Sequence, residues 1–324
     1  MQTFFYLPPQ HVPSAERQRA WAEGAPRILE ASGKKATVEA WVWQTWGALR
    51  RAGCVTEVVT DIPAKGIVIT MASLLPPDFC APQGLFVADI VADALPHPGA
   101  HLHLVQNAAH SKRLRCSVYV PHWPQPGLMP RDAQRGDTFA RVCFFGDPAN
   151  LDSALRTKAW AESLQARTGA IFELRSAERW HDYSDVDAVV AARDFSGRPQ
   201  LRKPATKLHN AWLAGVPFVG SNESALVSGG HSGCTYLSAG SPTEMLGRLE
   251  ELCRNVEMRK TLVRNGWQQA RELTNERMTA RWLDLLQVEI PAAARRRESA
   301  GRITRGFENI LNRASCAADR LFTR

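Results

Sequence analysis

The chain has no run approaching the roughly 18 uncharged apolar residues that a membrane-spanning helix requires. Its opening, "MQTFFYLPPQ", lacks the basic flank of a signal peptide. These absences imply a cytoplasmic location. No C-x-x-C pair occurs either: the seven cysteines (Cys54, Cys80, Cys116, Cys143, Cys234, Cys253 and Cys316) are odd in number and scattered. They are expected as buried thiols, neither disulfides nor a zinc site. The body of the chain also lacks strong charge of one sign. Of a formal net charge of +8, residues 291–324 carry five, with eight arginines against three acids. The rest is too nearly neutral for a nucleic-acid binder, and no nucleic-acid partner is expected.

The remaining composition is that of a globular protein, 44% apolar and 22% charged. Its 324 residues suit two domains of about 150 residues each. Strand-length apolar runs recur at 3–7, 56–62, 66–72, 84–93, 101–107, 116–120, 141–146, 170–174, 187–192 and 217–221. Their β-branched and aromatic content favours strand over helix. Helix-period segments such as Thr37 to Ala52 and Asn150 to Arg167 lie between several of them. Strands alternating with helices predict parallel, doubly wound α/β layers. The stretch "PHWPQPGLMPRDAQRGDTF" (121–139) has four prolines, two glycines and no period, and reads as a linker. The expected division is 1–137, 138–290 and a basic tail, 291–324.

The segment "KPATKLHNAWLAGVPFVGSNESA" (203–225) poses a charge problem. Thr206 to Ala214 has helical composition and stops at Gly215, with Pro217 following. Lysines at the start of a helix oppose its dipole, whereas an anion there is stabilised by unpaired N–H groups. Lys203, Lys207 and Arg193 thus suit a diphosphate.

Residues 140 to 286 resemble the C-terminal, donor-binding domain of GT-B fold glycosyltransferases. "RVCFFG" is similar to the first strand and its glycine turn, ending at Gly146, and "YSDVDAVVAAR" to the entry to the fourth strand. "KLHNAWLAGVPFV" resembles the "LLEAMACGVPVV" helix and strand, and "SALVSGGHSGCTYLSAGSPTEMLGRLEELCRNVEMRKTLVRNG" the stretch that closes the donor pocket. The resemblance implies two Rossmann-like domains facing across a cleft, to which the tail's own pattern adds a basic amphipathic C-terminal helix. It implies transfer of a sugar from a nucleotide-diphosphate donor to a glycan or lipid-linked hydroxyl, as in bacterial surface-polysaccharide synthesis. No cofactor is expected beyond that nucleotide-sugar substrate. The family's ribose-binding carboxylate is replaced by Asn210, with Glu223 a substitute acid two positions off the usual glutamate. Two alternatives share the fold: a nucleotide-sugar 2-epimerase, and a degenerate, non-catalytic glycan-binding or assembly module.

The D-x-D in "SDVDA" (184–188) is the metal signature of the other glycosyltransferase fold, GT-A, but there the strand leads into the acids and here it follows them. It reads as a helix exit and strand start, and no metal is expected. The glycine-rich "SGGHSGC" (228–234) has neither P-loop nor dinucleotide spacing and suits a turn beside the donor. A general base from the first domain is assigned to Asp93 or His110, both near strand ends. In the tail, Ile303, Phe307, Ile310, Leu311, Ala314, Leu321 and Phe322 share one helical stripe, opposite Arg302, Arg305, Arg313 and Arg320. Such a helix suits peripheral contact with an anionic membrane, or a return across the first domain.

Overall fold

The computed structural model describes residues 1–24 and 33–322. The chain divides into two compact units, Met1–Trp123 with Leu201–Pro204 and Asn275–Arg324, and Pro124–Gln200 with Ala205–Thr274. This division departs from the one drawn at 137 and 290. The proline-rich segment belongs to the second unit from Pro124 onward, and everything from Asn275 belongs to the first.

In the first unit, β1 (Thr3–Tyr6), β2 (Glu57–Val59), β3 (Gly66–Met71), β4 (Leu85–Ile90), β5 (Leu102–Val105) and β6 (Ser117–Tyr119) form a sheet in the order β2-β1-β3-β4-β5-β6. Every pairing is parallel. β3 and β4 are buried at each position, so apolar residues fill them without alternation, interrupted only by the buried Thr70 and Asp89. β4 ends short of the predicted 84–93 because Ala92 and Asp93 take φ of 21° and 55°, which no strand continues through. One core of this unit joins Phe5, Ile67 and Ile69 to Trp21, Trp41 and Trp43 from the N-terminal helices, and to Met278, Trp282 and Ile290 from the returning C-terminal segment. The apolar periodicity after Asn275 is therefore spent on the first sheet.

The last helix, Arg302–Phe322, docks by its polar edge. Asn312, Cys316 and Asp319 are buried, at successive turns of one face. Asn312 Nδ2 donates to Ala100 O at 3.0 Å, which turns its Oδ1 toward His103 Nε2 at 3.1 Å. On the other side of the ring, His103 Nδ1 lies 2.6 Å from Asp89 Oδ1. With an acceptor at each ring nitrogen, His103 donates from both and is an imidazolium. Burial works against that charge, but the Asp89 carboxylate and its hydrogen bond hold the pKa of His103 well above its ordinary value. One turn-set further on, His110 Nε2 lies 2.8 Å from Asp319 Oδ1.

A raised folded-state pKa means that the contribution of His103 is fully present below about pH 6.5 and is lost as pH rises through the folded value. Amide exchange across 302–322, corrected for intrinsic rates, should therefore accelerate on the alkaline side in the wild type. His103→Gln should abolish that step; identical pH profiles in the two proteins would refute the imidazolium lock.

In the second unit, β7 (Arg141–Phe145), β8 (Ile171–Arg175), β9 (Ala188–Ala191), β10 (Phe218–Gly220) and β11 (Leu237–Ser238) are ordered β11-β10-β9-β7-β8, again all parallel. Alternate residues feed two separate cores. Val142, Phe144, Val190 and Val219 enter one; Cys143, Phe145, Val189 and Phe218 enter the other. The helix expected from Asn150 begins only at Lys158, since Asp152 caps a short 3-10 turn and Thr157 caps the helix proper. The second D-x-D acid, Asp187, is 1% exposed and holds the segment before β7. It accepts from Arg131 Nη2 at 2.8 Å, Arg135 Nη2 at 2.6 Å, and the amides of Ala140 and Arg141 at 2.8 and 3.0 Å. The first acid, Asp185, pairs with Arg175 and Arg141. The supposed linker is thus tied to the sheet.

All seven cysteines are free thiols, but burial was expected for each and only Cys143 and Cys316 are buried; Cys80, Cys116 and Cys234 are exposed. Among the described residues no helix is long and apolar enough to cross a membrane.

Burial opposes the charge of Asp187, but its hydrogen bonds, led by Arg135, hold its pKa below the usual carboxylate value. That contribution is present above about pH 4 and is lost as pH falls through the depressed value. Asp187→Ala should lose about 3–5 kcal/mol in urea unfolding at pH 7, because it strands two arginines. The difference from wild type should shrink in acid; a constant difference down to the acid transition would exclude the charged cluster as its source.

Candidate functional site

β8 lies on one side of β7 and β9 on the other. The connections leaving β7 and β9 therefore diverge at the carboxyl ends of these neighbouring strands, which opens a crevice in doubly wound sheets. Gly146 follows β7 at this edge, Arg193 follows β9, and Ser221 to Glu223 follow β10.

Gly146 has φ 142°, outside the range that side chains permit. A Cβ placed there would also come within 3.0 Å of Lys207 Cε and 3.3 Å of Nζ. The Lys207 ammonium sits 5.1 Å from the centroid of the Phe144 ring, a cation–π distance. The glycine turn thus lets the lysine cross the end of β7.

Lys207 belongs to the helix Thr206–Ala214, which matches its sequence-based limits. Leu208, Ala211, Trp212 and Ala214 bury its apolar face, and Gly215 at φ 70° ends it, with its N–H bonded to Ala211 O. Its start is unusual: the N-cap is Ala205, no side chain caps it, and no acid stands in the first turn. Thr206 Oγ1 is buried there with no hydrogen-bond partner among the described residues. Gly229 was expected in a turn but ends the helix Ser224–Gly229, and it packs against the same end; a Cβ on it would lie 3.2 Å from Ala205 Cβ and 3.4 Å from His209 Nε2. An uncapped helix start with a lysine, an orphaned hydroxyl and a closely packed glycine is chemically suited to an anion.

Arg193 and Glu223 hold each other. Glu223 accepts from the Arg193 backbone N at 2.8 Å, from its guanidinium, and from Ser221 Oγ at 3.1 Å. The carboxylate is 5% exposed. Beside it, Asp194, Phe195, Arg198, Asn222 and Gly240 line a cavity of about 70 Å³ at the carboxyl edge of the sheet.

The other expected site residues are placed differently. Asn210 is 4% exposed, accepts from Gln125 N at 3.1 Å and bonds the buried Tyr183. Its amide is committed to the proline-rich segment, which removes it from the ribose role given it by the resemblance. Lys203 falls with the first unit, where its Nζ lies 3.0 Å from Asp93 Oδ1. The segment is held there as Gln106 Nε2 donates to Arg202 O. The lysine assigned to phosphate and the acid assigned to acceptor activation therefore pair with each other. His110 is 0% exposed and engaged with Asp319, so it has no access to a substrate hydroxyl; this corrects its assignment as a base. Asp93 remains half exposed. Phe144 and Thr206 are members of the site that sequence reasoning passed over, although Phe144 is the inward residue of "RVCFFG", two before the glycine.

Two parallel, helix-covered sheets, each with strands on both sides of its first one, define an α/β protein of GT-B architecture. Solved structures of that fold match nearly the whole chain. Sucrose-phosphate synthase from Thermosynechococcus elongatus matches with a TM-score of 0.58 and 12% identity over 90% of this chain and 100% of that one. HepE from Anabaena, crystallised with UDP and glucose, gives 0.55 and 12% over 89% and 100%. AviGT4, a glycosyltransferase of avilamycin A biosynthesis, gives 0.55 and 14% over 90% and 99%. The chain has the GT-B glycosyltransferase fold. No protein-family model matches it, and no curated protein sequence does.

The close approach at Gly146 is measurable. Gly146→Ala should destabilise the protein by about 1–3 kcal/mol through backbone strain and the clash with Lys207. In a Lys207→Ala background the loss should be smaller by at least about 0.5 kcal/mol. Strict additivity in a urea-denaturation double-mutant cycle would show that the two residues do not meet.

Proposed function

We propose that this chain is a glycosyltransferase that moves a sugar from a nucleotide-diphosphate donor to the hydroxyl of a glycan or lipid-linked acceptor, in bacterial surface-polysaccharide synthesis. The observation that carries this reading is the uncapped start of the helix Thr206–Ala214, with Lys207 laid across the Gly146 turn at the divergence of β7 and β9. HepE, crystallised with UDP and with UDP-glucose, has the same fold and supports the assignment of the anion as a nucleoside diphosphate.

When the glycosidic bond to the donor breaks, negative charge accumulates on the departing diphosphate. Lys207, the Thr206 hydroxyl and the first amides of the helix would stabilise it, the electrostatic task that a metal performs in other transferases. Arg193 and Glu223, fixed by each other, would border the donor beside the small cavity, with Arg193 offering Nε, which has no partner among the described residues. Asp93, oriented by Lys203, would accept the proton of the acceptor hydroxyl. The reading is metal-independent and includes a cytoplasmic protein in peripheral contact with the inner face of an anionic membrane through 291–324.

A second reading is favoured by the Asn210–Gln125 bond and the Arg193–Glu223 pair, which occupy the two groups expected to meet ribose or sugar. On this reading the chain is a non-catalytic module that retains the fold.

The two separate by experiment. One nucleoside diphosphate among UDP, GDP and ADP should raise the melting temperature of the wild type, and Lys207→Ala should weaken that binding about 10- to 100-fold, the worth of a charged hydrogen bond. Turnover of the corresponding nucleotide-sugar with an acceptor identifies the transferase; binding without turnover identifies the module. If no nucleotide stabilises the protein, or Lys207→Ala responds as wild type does, the phosphate assignment falls.

A further inference from the structure

The last helix carries its hydrophobicity on the wrong side for a helix that only covers a sheet. Its buried edge is Asn312, Cys316 and Asp319. At 100° per residue, Ile303, Phe307, Ile310 and Leu321 fall within about 60° of one another and about 180° from Asn312. They are 91%, 61%, 65% and 73% exposed. Ala314 and Ala317 lie in the same stripe and keep it narrow, while the side chain of Phe322 lies outside the described residues. Folding on the first unit therefore leaves Leu311 partly covered and turns the rest of the stripe outward.

Charge along the helix is equally one-sided. Arg302, Arg313 and Arg320 are exposed and fall within about 20° of one another, along one flank of the apolar stripe. The two acids of the helix are both engaged: Asp319 is buried on His110, and Glu308 lies 3.7 Å from Arg297 of the preceding helix. The outward surface thus combines a line of large apolar side chains with a row of guanidinium groups, and no acid of the helix faces it. An apolar protein groove would match the stripe but not the arginines. A surface with acyl chains below a plane of phosphates matches both.

We infer that the outward edge of Arg302–Phe322 seats this protein on an anionic bilayer, with Ile303, Phe307, Ile310 and Leu321 below the headgroups and the arginines on lipid phosphates. The polar inner edge, held by His103 and His110, keeps the helix on its domain while the outer edge enters the interface. This inference does not rest on the donor assignment; a protein that binds no nucleotide would still bind lipid.

Flotation of the full chain with phosphatidylcholine vesicles, with and without phosphatidylglycerol, tests it. The wild type should float with the anionic vesicles, remain below with the neutral ones, and release as salt is raised. Phe307→Gln with Ile310→Gln, and separately Arg302→Gln, Arg313→Gln and Arg320→Gln together, should each lower the bound fraction roughly tenfold or more. All the altered side chains are exposed, so melting temperatures should stay near wild type and exclude unfolding as the cause. Failure to float, equal binding to neutral and anionic vesicles, or full binding by the Phe307/Ile310 variant would overturn the proposal. So would a lipid-free dimer, seen by sedimentation, that the same variant dissolves, since the stripe would then be a contact between copies.

Discussion

A charge withdrawn from water must be met by a partner, and in this protein that rule decides how distant segments are tied together. Asp187 shows it most plainly. Its carboxylate, 1% exposed, is met by two arginines and two backbone amides. Those donors come from residues 131 to 141, so the acid fixes the path by which the chain enters β7. The position of β7 then sets the Gly146 turn. Replacing Asp187 strands all four donors at once, which is more damaging than the loss of a surface ion pair.

The same rule sorts the cationic residues. Arg193 is met by Glu223, Lys203 by Asp93, and Arg175 by Asp185. Lys207 rests instead over the Phe144 ring, at a helix start that no side chain caps. A cation against an aromatic face is held by the ring quadrupole, whereas a cation in an ion pair is held by a carboxylate. The ring contact and the uncapped helix start, more than the count of positive residues, give the candidate site its character.

Much of the architecture was legible. All ten predicted runs contain strands: central parallel strands such as β3, β4 and β9 are buried on both faces and leave a dense apolar signal, while the more exposed β2, β6 and β8 kept enough β-branched and aromatic residues to be read. β11 was missed: Leu237 and Ser238 are too few to form a run. Helix Thr206–Ala214 was found with its limits because Gly215 marks its end. The candidate site was only partly legible. Glycine and lysine marked the Gly146 turn and the helix start beside it, but pairings such as His103 with Asn312, 209 residues apart, have no local trace. His110 looked like a base because it follows a strand; Asp319, which occupies it, lies equally far along the chain. Asn210 was misassigned for a related reason: a motif position specifies where on a helix a residue sits, not which neighbour claims it.

The attachment of the last helix through directional polar bonds has an evolutionary corollary. In most domains the residues that glue a terminal helix in place are its hydrophobic ones, so altering them for a new purpose erodes the fold. Here attachment and outward display reside on opposite edges and draw on different chemistries. The outer edge can drift, gain or shed affinity for its surroundings, and be retuned between lineages while the core beneath it stays intact.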